Sequence, residues 1–177
     1  MKKLLLTGVL LVIAVSNLSA QTEFGVKSGY FRSSLVDPST NNAISHDGIY
    51  IGASLGYSLS ETFSIQTEVN YLRRLGHRAE YGFYEELDQL QVPVLANLRI
   101  GKKFRVFVGP NMLFLLTDYQ EFDTFSFGIK YGVSYDISEK LSIEASFNNG
   151  FQNVLESQYN EQGRFRGFQL GLTYKFR

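Results

Sequence analysis

From Phe125 to Ile137 apolar and polar positions alternate without a break, with Phe125, Phe127, Ile129, Tyr131, Val133, Tyr135 and Ile137 set against Ser126, Gly128, Lys130, Gly132, Ser134 and Asp136. Successive side chains of an extended chain point to opposite faces, so this segment is a strand with one greasy face and one small or polar face. Its thirteen residues exceed the five or six of an ordinary globular strand. At about 3.3 Å per residue they are long enough to cross a bilayer at a tilt.

The same template predicts eight strands along the chain. They run from Thr22 to Arg32, Gly48 to Ser58, Phe63 to Arg74 and Leu87 to Ile100, then from Phe104, then through the Phe125 segment, and finally from Leu141 to Asn148 and Phe165 to Phe176. Pro93 and Pro110 fall inside the fourth and fifth strands, where each removes a ladder donor and predicts a bulge or local bend. Connections alternate in length. Leu59 to Thr62, Gly101 to Lys103 and Ser138 to Lys140 are tight turns, whereas Ser33 to Asp47, Leu75 to Glu86, Thr117 to Asp123 and Asn149 to Arg164 are long and polar. Short turns on one rim and long loops on the other, with both termini on the short side, suit an all-β, eight-stranded antiparallel up-and-down transmembrane β-barrel.

Alternation alone does not say which face points outward, since a soluble lipocalin-like barrel shows the same pattern with its apolar face around a ligand. Two features of the strands favour an outward apolar face. The polar face carries small residues at mid-strand (Gly52, Ser54, Gly128, Gly132, Ser134, Gly171), as a crowded narrow lumen requires. Aromatic residues such as Phe24, Tyr57, Phe63, Phe104, Tyr135 and Phe168 sit near the ends of the apolar faces, as in interfacial girdles.

The amino terminus supports an extracytoplasmic destination. Lys2 and Lys3 precede an apolar core from Leu4 to Val15, and Ala20 supplies a small residue before Gln21, so residues 1–20 read as a cleavable signal peptide and 21–177 as the barrel domain. That core is shorter than the roughly 20 apolar residues a membrane helix needs. With no cysteine, neither a lipid-anchored terminus nor a disulfide framework is available. The 17 basic and 17 acidic side chains balance, which argues against a nucleic-acid footprint.

The candidate chemistry lies on the inward face and in the loops. Lys27, Glu68, Arg99, Arg105, Lys130, Asp136, Glu144 and Lys175 fall on the predicted lumen face, mixed in sign, and are expected to form a structural polar network, because buried charge persists only when partnered. An interior of eight strands is just wide enough to be filled by side chains, so no diffusion pore is expected. Tyr81, Phe83, Tyr84, Phe151 and Tyr159 in the long connections are candidates for a loop interaction surface. His46, between Ser45 and Asp47, and His77 lie toward the loop rim, but neighbouring residues of an extended segment point to opposite faces, so Ser45, His46 and Asp47 do not make a triad. Asp118, Glu121 and Asp123 form an acidic loop that reads as solvated. No catalytic residue, metal or cofactor is expected.

The run Leu87-Asp88-Gln89-Leu90-Gln91-Val92-Pro93-Val94-Leu95 resembles a strand of the PorT-like outer-membrane barrels of the Bacteroidetes lineage. Phe104 to Pro110, the glycine-rich sixth strand and the closing Gly171-Leu172-Thr173-Tyr174-Lys175-Phe176 are similar to that family's later strands. The resemblance implies an integral outer-membrane protein, in contact with outer-membrane lipid and inserted by the barrel assembly machinery. Tyr174 and Phe176 would serve as the assembly signal, although the chain ends one residue later, at Arg177. The secretion role of the family's namesake is not carried over.

The expectation is therefore a monomeric, non-enzymatic, porin-like barrel of the outer membrane with a side-chain-filled lumen. Its loops would serve envelope structure, surface interaction or a secretion assembly, with an extracellular or periplasmic partner unspecified. The alternatives are an outer-membrane lipid-modifying enzyme and a soluble periplasmic lipocalin-like barrel.

Overall fold

The computed structural model describes residues 22–36, 43–74, 88–116, 125–151 and 164–176. These form eight strands: β1 (Thr22–Val36), β2 (Ala43–Ser58), β3 (Phe63–Arg74), β4 (Asp88–Ile100), β5 (Phe104–Leu115), β6 (Phe125–Asp136), β7 (Leu141–Gly150) and β8 (Arg164–Phe176). Each pairs antiparallel with its sequence neighbour, and β8 closes on β1 with Phe24 opposite Phe176 and Tyr30 opposite Leu170. Closure leaves no edge strand to template further pairing.

Local chemistry sets the three tight turns. Ser60 Oγ accepts the Phe63 amide at 3.0 Å, and Ser138 Oγ accepts the Leu141 amide at 3.1 Å, so the two Ser-Glu turns close in the same way. Gly101 adopts φ 67°, the left-handed conformation that a side chain would resist.

The apolar faces look outward. Ile51 is 63% exposed, Val133 51% and Leu172 46%, whereas Lys130 and Asn70 on the opposite face are fully buried. Such a continuous apolar belt far exceeds the few hundred Å² a water-soluble monomer exposes, and the lumen is too polar to take an apolar ligand. The lipocalin-like alternative, which needs the reverse arrangement, does not fit. Aromatic pairs reinforce the belt on one side: Tyr131 stacks on Phe147 at 5.9 Å between centroids, and Phe147 meets Phe168 at 5.2 Å.

Two expectations need correction. The stretch Ser33 to Asp47 is not one long loop, because β1 continues to Val36 and β2 begins at Ala43, with Ser33 opposite His46. Ser33, Ser34, Ser45, His46 and Asp47 put polar side chains on both faces there, which hides the alternation. The ladder is held instead by Ser34 and Ser45 hydroxyls 2.7 Å apart and by Tyr30 and Arg32 both reaching Asp47. Of the bulge or local bend expected at Pro93 and Pro110, the bulge does not occur. The β3–β4 register is the same on either side of Pro93, from Thr67 opposite Val94 to Asn70 opposite Gln91. The β4–β5 register likewise resumes unshifted, from Pro93 opposite Asn111 to Ala96 opposite Val108. Pairing lapses locally without an extra residue, and the Thr67 hydroxyl donates to the Pro93 carbonyl at 3.2 Å.

Glycine on the inner face makes room for large lumen side chains. Tyr50 lies against Gly29 and Gly171, Phe31 against Gly48, and Phe107 against Gly132, and a methyl group on any of these glycines would collide with the ring beside it. Phe31, Tyr50 and Leu72 are buried together as an apolar cluster inside the otherwise polar lumen.

Candidate functional site

Four layers fill the lumen from the turn end to the loop end. At the turn end Arg105 Nη2 donates to Asp136 Oδ1 at 2.7 Å and Lys175 Nζ to the same oxygen at 3.0 Å, with Glu23 at 3.8 and 3.6 Å from the two cations. Arg99 does not join this layer. It stands directly opposite Arg105 in the β4–β5 ladder, yet its side chain is exposed at the turn-end mouth. Tyr174 and Phe176 face outward at this end, their rings 5.3 Å apart edge to face.

The second layer is a balanced group of two cations and two anions at mid-barrel. Lys27 Nζ donates to Glu68 and, at 2.7 Å, to Glu144; Lys130 Nζ donates to Glu68 at 3.0 Å and lies 3.4 Å from Glu144. Asn70 and Gln66 amides donate to the two Glu68 oxygens at 2.9 and 2.8 Å. The backbone explains the convergence. Lys27 is paired with Gly52 on β2 and Glu144 with Gly171 on β8; Asn70 and Tyr50 pack into the room these glycines leave, beside the point where side chains of β1, β3, β6 and β7 meet. Four charges of zero net sum, each hydrogen-bonded, are tolerated where a single buried charge would cost several kcal/mol.

The third layer is uncharged. Gln169 Nε2 donates to Gln91 Oε1 at 3.0 Å, Gln91 Nε2 to Asn148 Oδ1 at 3.0 Å, and Asn111 Nδ2 to that same Asn148 oxygen at 3.2 Å. Sequence reasoning singled out charges and passed over these amides, together with Gln89. Their signal was present, since Gln89, Gln91, Asn111, Asn148 and Gln169 share the polar face with the charged residues, but alternation does not say which strands' amides come level. The fourth layer, at the loop end, is the apolar lip of Phe31, Leu72, Leu113 and Leu115.

Of the loop candidates, Phe151 is described: it is exposed and its ring lies 6.3 Å from that of Phe127, extending the outer aromatic wall. Tyr81, Phe83, Tyr84 and Tyr159, like His77 and the acidic Asp118, Glu121 and Asp123, lie outside the described residues. His46 is half-buried, whereas Ser45 and Asp47 are exposed on the other face of β2, and Asp47 is engaged by Tyr30 and Arg32. Those three neighbours therefore do not converge on one point. Arg32 and Asp47, partners across the β1–β2 ladder, face outward and are exposed on the loop side of Ile49, so His46 lies past the continuous apolar belt. Burial, with Arg74 nearby, holds its imidazole below the ordinary value of 6.5, and Asp47 opposes that shift only in part.

Solved structures of the same architecture include Neisserial surface protein A, with a TM-score of 0.58 and 17% identity over 86% of this chain and 97% of that one. The Ail attachment invasion locus protein of Yersinia pestis aligns with a TM-score of 0.55 and 15% identity, covering 88% of this chain and 99% of that one. A de novo designed transmembrane β-barrel aligns at 0.52 and 12% identity, over 88% of this chain and 96% of that one. A designed barrel among the neighbours makes plain that the wall alone specifies the fold and no biological task. No curated protein matches the sequence. The family model of the outer membrane protein beta-barrel domain matches residues 5–176, and the chain, with its closed eight-stranded wall and outward apolar belt, belongs to that family.

Proposed function

We propose that this outer-membrane barrel is a non-enzymatic, monomeric wall element with a sealed lumen, which serves envelope structure, surface interaction or a secretion assembly through its outer end. The turn end, with both termini, faces the periplasm; residues 1–20 are removed as a signal peptide; and Tyr174 and Phe176 are read by the assembly machinery. The observation that carries the reading is the mid-barrel group Lys27, Glu68, Lys130 and Glu144, whose side chains meet across the lumen. Opening an aqueous path would separate these ion pairs, so solute diffusion is opposed by the same contacts that hold the wall together. The PorT-like resemblance is the finer family reading, with no secretion partner assigned by it.

Reconstitution in planar bilayers and in liposomes tests this directly. The full-length barrel should give no stable stepwise conductance and no liposome swelling in small sugars; a steady channel of porin size would overturn the sealed-lumen reading. Cell fractionation should recover the chain in the outer membrane with a mobility shift on boiling in detergent. The enzymatic rival places a histidine at the outer leaflet. His46→Ala and His77→Ala should leave the lipid A profile unchanged, and a changed profile would favour that rival.

A further inference from the structure

On the outer wall at the loop end, the β8–β1 side breaks from the apolar belt with two arginines on adjacent strands. Arg166 on β8 stands directly opposite Ser34 on β1, and Ser34 directly opposite Ser45 on β2. Arg32, two residues before Ser34, stands opposite Phe168 on one side and Asp47 on the other. Arg32 and Arg166 are thus diagonal neighbours on one face of the ladder, about 7–8 Å apart at the backbone, within the joint reach of two long side chains. They share that face with Tyr30, Ile49 and Leu170, the exposed end of the belt.

Charge is spread unevenly along this rim. Arg73 on β3 is exposed on the same face, but Asp88 stands opposite it on β4, and Asp47 lies on β2 between Arg32 and Arg73. Both acids therefore lie toward β3, and none of the described residues places one between Arg32 and Arg166. Arg32 is 60% exposed and approaches Asp47 through Nε, at 3.8 Å, while Asp47 also accepts the Tyr30 hydroxyl. Arg166 is exposed, with no ion pair among the described residues. The Ser34 and Ser45 hydroxyls, 2.7 Å apart, share one hydrogen bond, which leaves one of their two protons over. Two guanidinium groups and a spare hydroxyl proton complement a phosphate, whose charged oxygens accept from planar donor forks.

We propose that the outer face of β8 and β1 holds the phosphate of a membrane lipid between Arg32 and Arg166, with the lipid's chains lying along Tyr30, Phe168 and Leu170. Continuity with the belt selects a lipid over a free anion. Descending from Arg166, the outward positions of β8 are Phe168, Leu170 and Leu172, and below Arg32 the first on β1 is Tyr30. A headgroup at the arginines thus carries its chains straight onto apolar wall, whereas a soluble phosphate meets the donors alone. The inference deepens the envelope-structure reading and rests on it only for which leaflet supplies the lipid.

The test uses the folded full-length barrel in a nonionic detergent, where membrane orientation plays no part. Native mass spectrometry follows lipid retained during titration with dioleoylphosphatidic acid or with dioleoylglycerol, which has the same chains and no phosphate; inorganic phosphate is the soluble competitor. Phosphatidic acid should be held at least about tenfold more tightly than the diglyceride. Arg32→Gln and Arg166→Gln should each weaken it about tenfold, and both side chains are exposed, so the variants should keep the boiling-dependent mobility shift. Arg99→Gln removes the same charge at the turn-end mouth and should leave retention unchanged. Phosphatidic acid held no better than the diglyceride would overturn the proposal, and an equal loss in Arg99→Gln would reduce the effect to net charge. Displacement by inorganic phosphate at the lipid's own Kd would make the site one for a free anion and overturn it as well. Each of these results leaves the bilayer conductance result standing, so the two readings fall separately.

Discussion

Lys27 and Glu144 lie 117 residues apart in the chain and meet at the centre of the lumen, where the ammonium donates to both carboxylate oxygens at 2.7 and 2.9 Å. The same ammonium also reaches Glu68, so Lys27 ties β1 to β3 and β7 at once. Replacing it with methionine leaves Glu68 and Glu144 facing Lys130 alone. Lys27→Met should cost about 3–5 kcal/mol, the usual penalty for orphaning a buried charge. Lys27→Met combined with Glu144→Leu leaves the neutral pair Lys130–Glu68 and should recover at least half of that loss. Urea midpoints read from gel mobility supply the double-mutant cycle, and a strictly additive result would show that the two groups do not interact.

Tyr50 fills the lumen between Gly29 and Gly171, and its hydroxyl has no hydrogen-bond partner among the described residues. Tyr50→Phe removes an unmatched polar atom without opening a cavity, so it should change stability by less than about 1 kcal/mol. Gly171→Ala places a methyl against the Tyr50 hydroxyl and should destabilise by about 1–3 kcal/mol. Adding Tyr50→Phe to Gly171→Ala should relieve part of this cost in the same unfolding measurement. Lack of any relief would mean that the backbone, rather than the ring, bears the crowding.

Pro93 and Pro110 interrupt the two ladders that flank β4, one toward β3 and the other toward β5. Mid-strand amides of β4 should therefore exchange with deuterium sooner than those of β2, whose pairings with β1 and β3 run without a gap. Pro110→Val restores a donor opposite Val94 on an outward position. It should slow β4 exchange and raise stability by up to about 1 kcal/mol. Unaltered exchange in the variant would show that the gap has a cause other than the missing N–H.

His46 should titrate below 6.5 in the folded barrel, since burial and Arg74 both disfavour its cation. An unfolded chain would take up that proton first on acidification, so the contribution to stability is present at neutral pH and is lost as pH falls below the ordinary histidine value. Imidazole NMR titration gives the midpoint. His46→Asn should flatten the acid side of the stability profile, and a midpoint at or above 6.5 would contradict the burial.

Legibility differed by region for physical reasons. Phe63 to Arg74 was bounded correctly because its alternation is clean and a Ser-Glu turn precedes it. Ser33 and Ser34 read as loop because they and their ladder partners His46 and Ser45 are polar on both faces and are held by side-chain and ladder hydrogen bonds, which leave no hydrophobic period at these positions. Pro93 reads as a bulge or local bend because a missing donor is visible in the residue type, whereas the continuity of register that excludes the bulge belongs to the sheet.

Residue types along one strand are enough to divide its side chains into an apolar and a polar face, since side-chain direction has period two and the sheet has only two sides; small residues at mid-strand and aromatics at the strand ends then favour the apolar face outward. The eight strands, the tight turns and the inward placement of Lys27, Glu68, Lys130 and Glu144 follow from that local rule. Which of those inward groups become partners was decided only by closure. The stagger between β1 and β8 sets Lys27 level with Glu144, lifts Gln91 and Gln169 into contact above them, and leaves Arg99 outside at the turn-end mouth. Such matches join residues far apart in the chain, and barrel tilt and register, properties of all eight strands together, determine them.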